Sequence, residues 1–538
     1  MRIPNPTGRL LGAALCAAVI SLASCASFDT AVQSDYIGRM SRAQAADSPL
    51  SAAETQPAEQ PASQPAGPLA ITLEDAIMMS LENNRALAVV RLDPQIRRTY
   101  EQQERAVFDP VVAGEISTER SRYESASLTS GTIRDEHAAS VSAESFLPTG
   151  TTVGVDLGTD VLDSSLYSDD FASTRIGLTV TQALLRGADV RANLASLHQA
   201  RLQTLESQYE LRGFAEALLA DVESAYWDYA LAQRQIDIYT RSLEFAVKQA
   251  DEVQERITIG KLAETELVAA QAEIALRRES LINAESTLAK RRLQLLRLLN
   301  PSGNGLRPRS VTLRDRPAAP NVKLDDVEQH VRVALRLRPD LNQSRLALLR
   351  NDLEVVKTKN GLLPKMDLFI TLGKTGYANS FGRSVEDIGG SNYDVLVGVK
   401  FDYPPLNRDA TARQRRATLT RSQAAEAVRN LSQLVELDVR EAFIELLRAR
   451  EQIAATAATR KLRAETLRTE NEKFRVGRST SLLVVQTQRD LLASEIAEDE
   501  AVVNYLKAFV DLHRLEGSLL ERRGIAAPGR GQSEIKAP

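Results

Sequence analysis

The chain is poor in the residues on which most catalytic and disulfide-built proteins rely. Its two cysteines, Cys16 and Cys25, both fall within the first 25 residues. The remainder has no thiol, which excludes disulfides and thiolate metal sites there. Four histidines occur, His137, His198, His330 and His513, and none is spaced as a metal-binding pair. Aromatic residues make up only 5% of the chain, and Gly and Pro are few for its 538 residues. Beyond the N-terminus no stretch holds about 18 consecutive apolar residues, so transmembrane helices are excluded and any further contact with lipid falls to strands. Neither sign of charge dominates: 67 basic and 71 acidic side chains are interspersed, with a net charge of −4, and nothing asks for nucleic acid as a partner. Phosphate-binding loops, His-Glu-x-x-His, nucleophile elbows and dinucleotide glycine fingerprints are absent. The expectation is a protein that is not an enzyme, with no metal and no cofactor.

The N-terminus is the one strongly apolar segment. Arg2 and Arg9 precede an apolar run from Leu10 to Ile20, and small residues follow. This reads as a secretory signal peptide over residues 1–24. It ends in Leu22-Ala23-Ser24-Cys25, which resembles the lipobox of bacterial lipoproteins. Small residues there admit the peptidase to the bond before an acylated cysteine, whereas bulky Leu15 precedes Cys16. Cys25 is therefore the expected lipidation site, and two or more acyl chains would anchor it stably. Ala26 follows it, not the aspartate that signals inner-membrane retention, so outer-membrane lipid is the expected destination. Pro49, Pro57, Pro61, Pro65 and Pro68 lie among Ala, Gln, Ser and Glu, so residues 25–70 read as a lipid-anchored N-terminus and disordered linker.

From residue 71 onward Ala, Leu, Arg, Glu and Gln dominate, the usage of long helices, and the pattern occurs twice. The first repeat, 71–310, has an opening helix, strands in 111–182 and a long helical hairpin over 188–300. The second, 322–522, has an opening helix, strands in 366–403 and a hairpin over 410–520. A disordered tail is expected over 523–538. Val222, Ala225, Tyr226 and Gly260 match Val439, Ala442, Phe443 and Gly477 at a constant offset of 217 residues. Each outgoing helix of some 70 residues would reach roughly 100 Å. A glycine at each hairpin turn suits a helix end that needs positive φ. The return arms are half as long, and the opening helices would lie end to end with them. A hairpin this long cannot bury its apolar stripe alone and needs lateral neighbours.

The strand segments alternate with period two. Tyr393, Val395, Val397, Val399 and Phe401 alternate with Asp394, Leu396, Gly398, Lys400 and Asp402. Val153, Val155 and Leu157 alternate with Gly154 and Asp156. One apolar and one polar face is what lipid outside and water inside require. Four or more such strands per chain are too few to close an aqueous barrel, but three chains would suffice. The turn Leu147-Pro148-Thr149-Gly150 signals an additional hairpin in the first half, and the polar stretches 121–136, 160–170 and 376–391 read as external loops. The fold class is mainly α with a membrane β-barrel portion.

These residues resemble the TolC-like outer-membrane efflux and secretion channels, in their lipoprotein-type branch, over about 71–520. The resemblance is carried by Leu73-Glu74-Asp75-Ala76, Leu184-Leu185-Arg186-Gly187, Val222 to Trp227, Gly260 with Glu264-Thr265-Glu266-Leu267, and Phe474 to Ser479. It implies duplicated helical hairpins forming a trimeric α-barrel continuous with a shared transmembrane β-barrel. The homotrimer would be a passive conduit across periplasm and outer membrane, docked to a periplasmic adaptor and an inner-membrane pump or ABC transporter. Ile259, Gly260, Lys261, Val476, Gly477 and Arg478 match the adaptor-docking tips. The family's acidic constriction falls on Leu483 and Gln486, which are not acidic, leaving Glu266 and Asp490 as the acids nearest that position. The competing reading is a lipid-anchored periplasmic coiled-coil adaptor or tether, which would have one hairpin beside a compact β-domain.

Overall fold

The computed structural model describes residues 69–122, 133–164, 170–260, 262–301, 310–320 and 324–526. Cys25, the leader 1–24, most of the linker 25–70, Lys261 and the tail beyond 526 lie outside these residues.

The first repeat opens with strand β1 (Leu69–Ile71) and helices α1 (Leu73–Asn83), α2 (Arg85–Val90) and α3 (Asp93–Arg105). The single opening helix read from the sequence is thus three. Thr72 and Asp75 form a reciprocal capping box at the start of α1. Asn84 is extended and caps α2 through its own side chain, which interrupts the helix. Four strands follow: β2 (Val111–Arg122), β3 (Ile133–Phe146), β4 (Thr151–Ser164) and β5 (Phe171–Ala183). A one-turn helix α4 (Val190–Asn193) leads into α5 (Ala195–Thr258), 64 residues or about 96 Å long. Helix α6 (Thr265–Leu299) returns, and strand β6 (Val311–Leu313) ends the repeat.

The second repeat runs α7 (Val327–Leu337), α8 (Pro339–Asn360), β7 (Lys365–Ala378), α9 (Phe381–Asp387), β8 (Tyr393–Asp402), α10 (Arg408–Arg475), α11 (Ser481–Glu516) and α12 (Leu519–Arg522). Pro339 starts α8 because its fixed φ and missing N–H suit a first helical turn. The stretch 376–391, read as an external loop, contains α9. Ser384 of α9 hydrogen-bonds Thr174 of β5 at 2.6 Å, so this helix lies against the sheet.

The chain forms one six-stranded antiparallel sheet in the order β2-β3-β4-β5-β7-β8, four strands from the first repeat and two from the second. The Leu147–Gly150 turn joins β3 to β4, and Gly150 takes φ +79° there. Nearest the sheet the helices pack side by side as α3, α5, α8 and α10; farther away the order is α6, α5, α11 and α10. Where the opening and return arms meet they abut end to end. Asn84 Nδ2 donates to the Leu298 carbonyl at 3.0 Å, and Asn300 Nδ2 to that of Asn83 at 2.9 Å.

Two cores sit at this level and repeat each other. One gathers Leu87, Leu219, Val222, Tyr226, Leu295 and Leu299; the other Val331, Leu341, Val435, Val439 and Leu446. Beside the first, β1 and β6 pair in parallel, and Tyr226 donates to the Ile71 carbonyl and to Asp315. Leu69 and Ala70, assigned from the sequence to a disordered linker, are therefore strand residues. The tail needs the same correction at its start. Arg523 pairs with buried Glu223, and Ile525 packs on the first core together with Leu519 and Leu520, because α5 leaves an apolar groove and a buried carboxylate there. Arg212, also buried, holds Glu216 at 3.1 Å and Glu521 at 2.8 Å.

His513 lies beside this tail, its ring 4.4 Å edge-on from Phe509, with Glu516, His330, Arg522 and Arg523 around it. Burial, aided by Arg522, lowers its pKa from 6.5 to about 4. A group whose folded pKa is depressed contributes stability above its free pKa and loses it as pH falls. Trp227, the only tryptophan, lies in the first core and reports on it. Its fluorescence should show a fall in the unfolding midpoint as pH drops from 6.5 toward 4, with up to about 3 kcal/mol at stake. The fall is read as the difference from His513→Gln, because Glu216, raised by burial to about 7, contributes the opposite slope in the same window. His513→Gln should flatten that part of the profile, and an unchanged slope would exclude this imidazole as its source.

Candidate functional site

Two regions have the chemistry of a passage: the two faces of the sheet, and the turns at the far end of the long helices. Cross-strand register sorts the sheet residues into faces. Val155, Leu178, Leu372 and Val395 form one row through β4, β5, β7 and β8, and Val153, Val180, Ile370 and Val397 form the next. Ala143, Val141 and Ala139 of β3 extend this face, as do Val112 and Ile116 of β2. Most of these side chains are exposed, Tyr393 to 75%. So wide an exposed apolar surface marks contact with a membrane or a partner.

The opposite face is polar. It presents Glu115, Glu119, Glu136, Glu144, Asp156, Asp160, Asp394 and Lys400. Arg175 spans it, with Nη1 2.9 Å from Asp156 and Nη2 2.9 Å from Asp394. Sequence reasoning misses this bridge because its members lie on three strands from two repeats. The signal available was a glycine in each neighbouring strand position. A Cβ at Gly177 or Gly373 would collide with the Asp156 or Asp394 carboxylate. At one end Phe171 and Tyr377 stack 5.7 Å apart on this face.

At the other end of the molecule, Gly260 and Gly477 both take φ +75° with open space around them. At the second turn the Gly477 N–H donates to the Phe474 carbonyl at 3.1 Å and the Arg478 N–H to that of Lys473 at 2.8 Å, closing the helix end. Ile259 and Val476 flank the glycines, 59% and 70% exposed. The turns stand beside one another: the Arg256 guanidinium lies over the Phe474 ring, 4.5 Å from its centroid.

The candidate constriction residues are not gathered into one cluster. Glu266, in the first turn of α6, accepts a hydrogen bond from the Ser481 hydroxyl at the start of α11. Asp490 is held by Arg463 of α10 at 2.7 Å, inside its own hairpin. Leu483 is exposed, and its N–H donates to Thr480 Oγ1, the cap of α11. Gln486 is exposed. Below them Glu273 is buried between Arg277, 2.6 Å away, and Arg489. No group of three or more metal-ligating side chains occurs among the described residues. No described helix is long and apolar enough to cross a membrane.

A model of the outer membrane efflux protein family matches residues 76–301 and 331–518. Outer membrane efflux protein BepC of Brucella suis biovar 1 is 23% identical over 330 residues, covering 61% of this chain and 69% of BepC. In fold, the chain is similar to the outer membrane channel CmeC of Campylobacter jejuni, with TM-score 0.63 and 14% identity over 88% of this chain and 94% of CmeC. It is also similar to the outer membrane protein VceC of Vibrio cholerae, with TM-score 0.61 and 13% identity over 83% of this chain and 96% of VceC.

The tip glycines generate a direct test. With space free, Gly477→Ala is opposed by backbone conformation alone, at about 1–2 kcal/mol. Amide exchange in the last turn of α10 should quicken roughly tenfold, with the sheet unchanged; unaltered exchange would show that the turn does not depend on positive φ.

Proposed function

The chain belongs to the outer membrane efflux protein family, and on that premise we propose that three copies close a single passage from the periplasm through the outer membrane. Its localisation is the outer membrane and its role that of an efflux channel, in a family of channels rather than enzymes. The observation that carries the closure between copies is the unclosed sheet: six strands with an apolar and a polar face, and an unpaired edge on each side among the described residues. Lipid cannot satisfy an open edge, so copies must supply the missing pairs. The polar face lines water and the apolar face meets lipid. The helices continue this wall into the periplasm as an α-barrel.

The tips, with Ile259, Gly260, Lys261, Val476, Gly477 and Arg478, dock a periplasmic adaptor that joins the channel to an inner-membrane pump or ABC transporter. Exposed apolar residues beside both turns support this reading. Cys25, released from the leader 1–24, is acylated, and the linker 25–68 ties that anchor to the folded body. A single-hairpin adaptor is a poorer fit, because both repeats have a long hairpin and both feed one sheet.

Outer-membrane fractions should contain an SDS-resistant species three subunits in mass that falls to monomer on heating; a peripheral monomer would sink the assembly. Glu266 would face the narrowest part of the passage beside Leu483 and Gln486, with Asp490 a turn deeper. In planar-bilayer recordings Glu266→Gln should reduce the preference for cations, and unchanged selectivity would remove Glu266 from the constriction.

A further inference from the structure

The two repeats do not contribute equally to the sheet. The second supplies one hairpin, β7–β8; the first supplies two, and β2–β3 has no counterpart. A surplus hairpin could fold aside as an external flap. Its register says otherwise. β3 is paired with β4 over thirteen residue positions, Arg134 to Phe146, with no bulge. The facing is continuous as well: Val112, Ile116 and Val141 fall on the apolar face, Glu115 and Glu144 on the polar one. A flap in water would have no use for an apolar side in register with the membrane-facing one.

Width gives an independent argument. Four helices stand abreast beside the sheet, α3, α5, α8 and α10, which at about 9 Å apart subtend about 36 Å. Six strands at about 4.8 Å, tilted by about 40°, subtend about 37 Å of the same wall. Four strands would subtend only about 25 Å and force the wall to narrow by a third. The match holds for any number of copies, since it concerns the arc each contributes.

We propose, resting on the assembly described above, that the β2–β3 hairpin is part of the membrane wall. β2 of one copy pairs with β8 of the next, and the membrane portal is as wide as the helical tunnel beneath it. The direction is right for this junction: strands alternate across six, so β2 and β8 run opposite ways and meet antiparallel. The occupant of each free edge is thus a second copy of this chain. Three copies make about eighteen strands and a backbone diameter near 36 Å, against about 24 Å for twelve. The membrane portal is then no narrower than the helical tunnel that feeds it.

Cys16 and Cys25 are the only natural cysteines, so engineered pairs in the sheet report alone. Full-length chains would combine Val397→Cys on β8 with Val112→Cys, Gly114→Cys or Ile116→Cys on β2, and as a contrast with Val155→Cys on β4. Oxidation in membranes should link copies into covalent species of up to three subunits for at least one β2 pairing and none for β4. Links through β4 without links through β2 overturn the proposal, as do absent links from every β2 pairing in preparations that keep the heat-labile trimer. Loss of the trimer itself, in the unsubstituted chain, would instead overturn the assembly on which this rests. End-on views by electron cryomicroscopy give a second readout: a wall near 24 Å across, with the hairpin outside it, contradicts the proposal.

Discussion

Lipid offers no hydrogen-bond partner to a backbone, and the rest of this structure follows from that constraint. It makes a six-stranded sheet with two open edges an incomplete object, and requires the wall to be closed by more wall. The helices inherit the same incompleteness. Helices α10 and α11 pack against each other, as do α5 and α6, yet α10 exposes Leu419, Leu437, Ile444 and Leu462. Sheet and helix layer are open on the same sides, so one lateral neighbour, as in the proposed assembly, would answer both needs.

Rigidity is concentrated at one level of the long hairpins. There the opening and return arms abut, the β1–β6 pair closes over α5, and two buried cores lie related by the internal repeat. Val222 and Tyr226 in one stand where Val439 and Phe443 stand in the other. On either side of this level the helices expose more of their surface, and at the turns the contacts reduce to a few named pairs, such as Arg256 over Phe474. Local stability follows buried contact density, so the turns can move while the joint holds.

Much of this was legible in the sequence where periodicity runs long. Helices of 64 and 68 residues repeat their pattern too often to be missed, and the glycines that end them stand out because helix ends need positive φ. Alternation in β7 and β8 and the Pro148-Gly150 turn were readable for the same reason. Short elements were not. β1 and β6 have three residues each, too few for any period, and their pairing joins positions far apart in the chain. The Arg175 bridge depends on the register of three strands, and no local pattern encodes that. The constriction was the least legible part. Helical spacing brings Glu266 and Asp490 near the required level, but spacing cannot tell that Ser481 and Arg463 already engage them.

The tail has a consequence for how the chain is made. Leu519, Leu520 and Ile525 complete a core built mainly from the first repeat together with Val503, Leu506 and Val510 of α11, and Arg523 pairs with Glu223 beside it. The first half of the protein therefore lacks these pieces until residues 519–525 have been translated and exported. A chain truncated or stalled near its terminus leaves a buried carboxylate without its cation and an apolar groove open, deep in the half that was synthesised first. Completion of the joint thus depends on the second repeat having followed the first: only a chain that has reached Ile525 has both open edges of the sheet on a finished core.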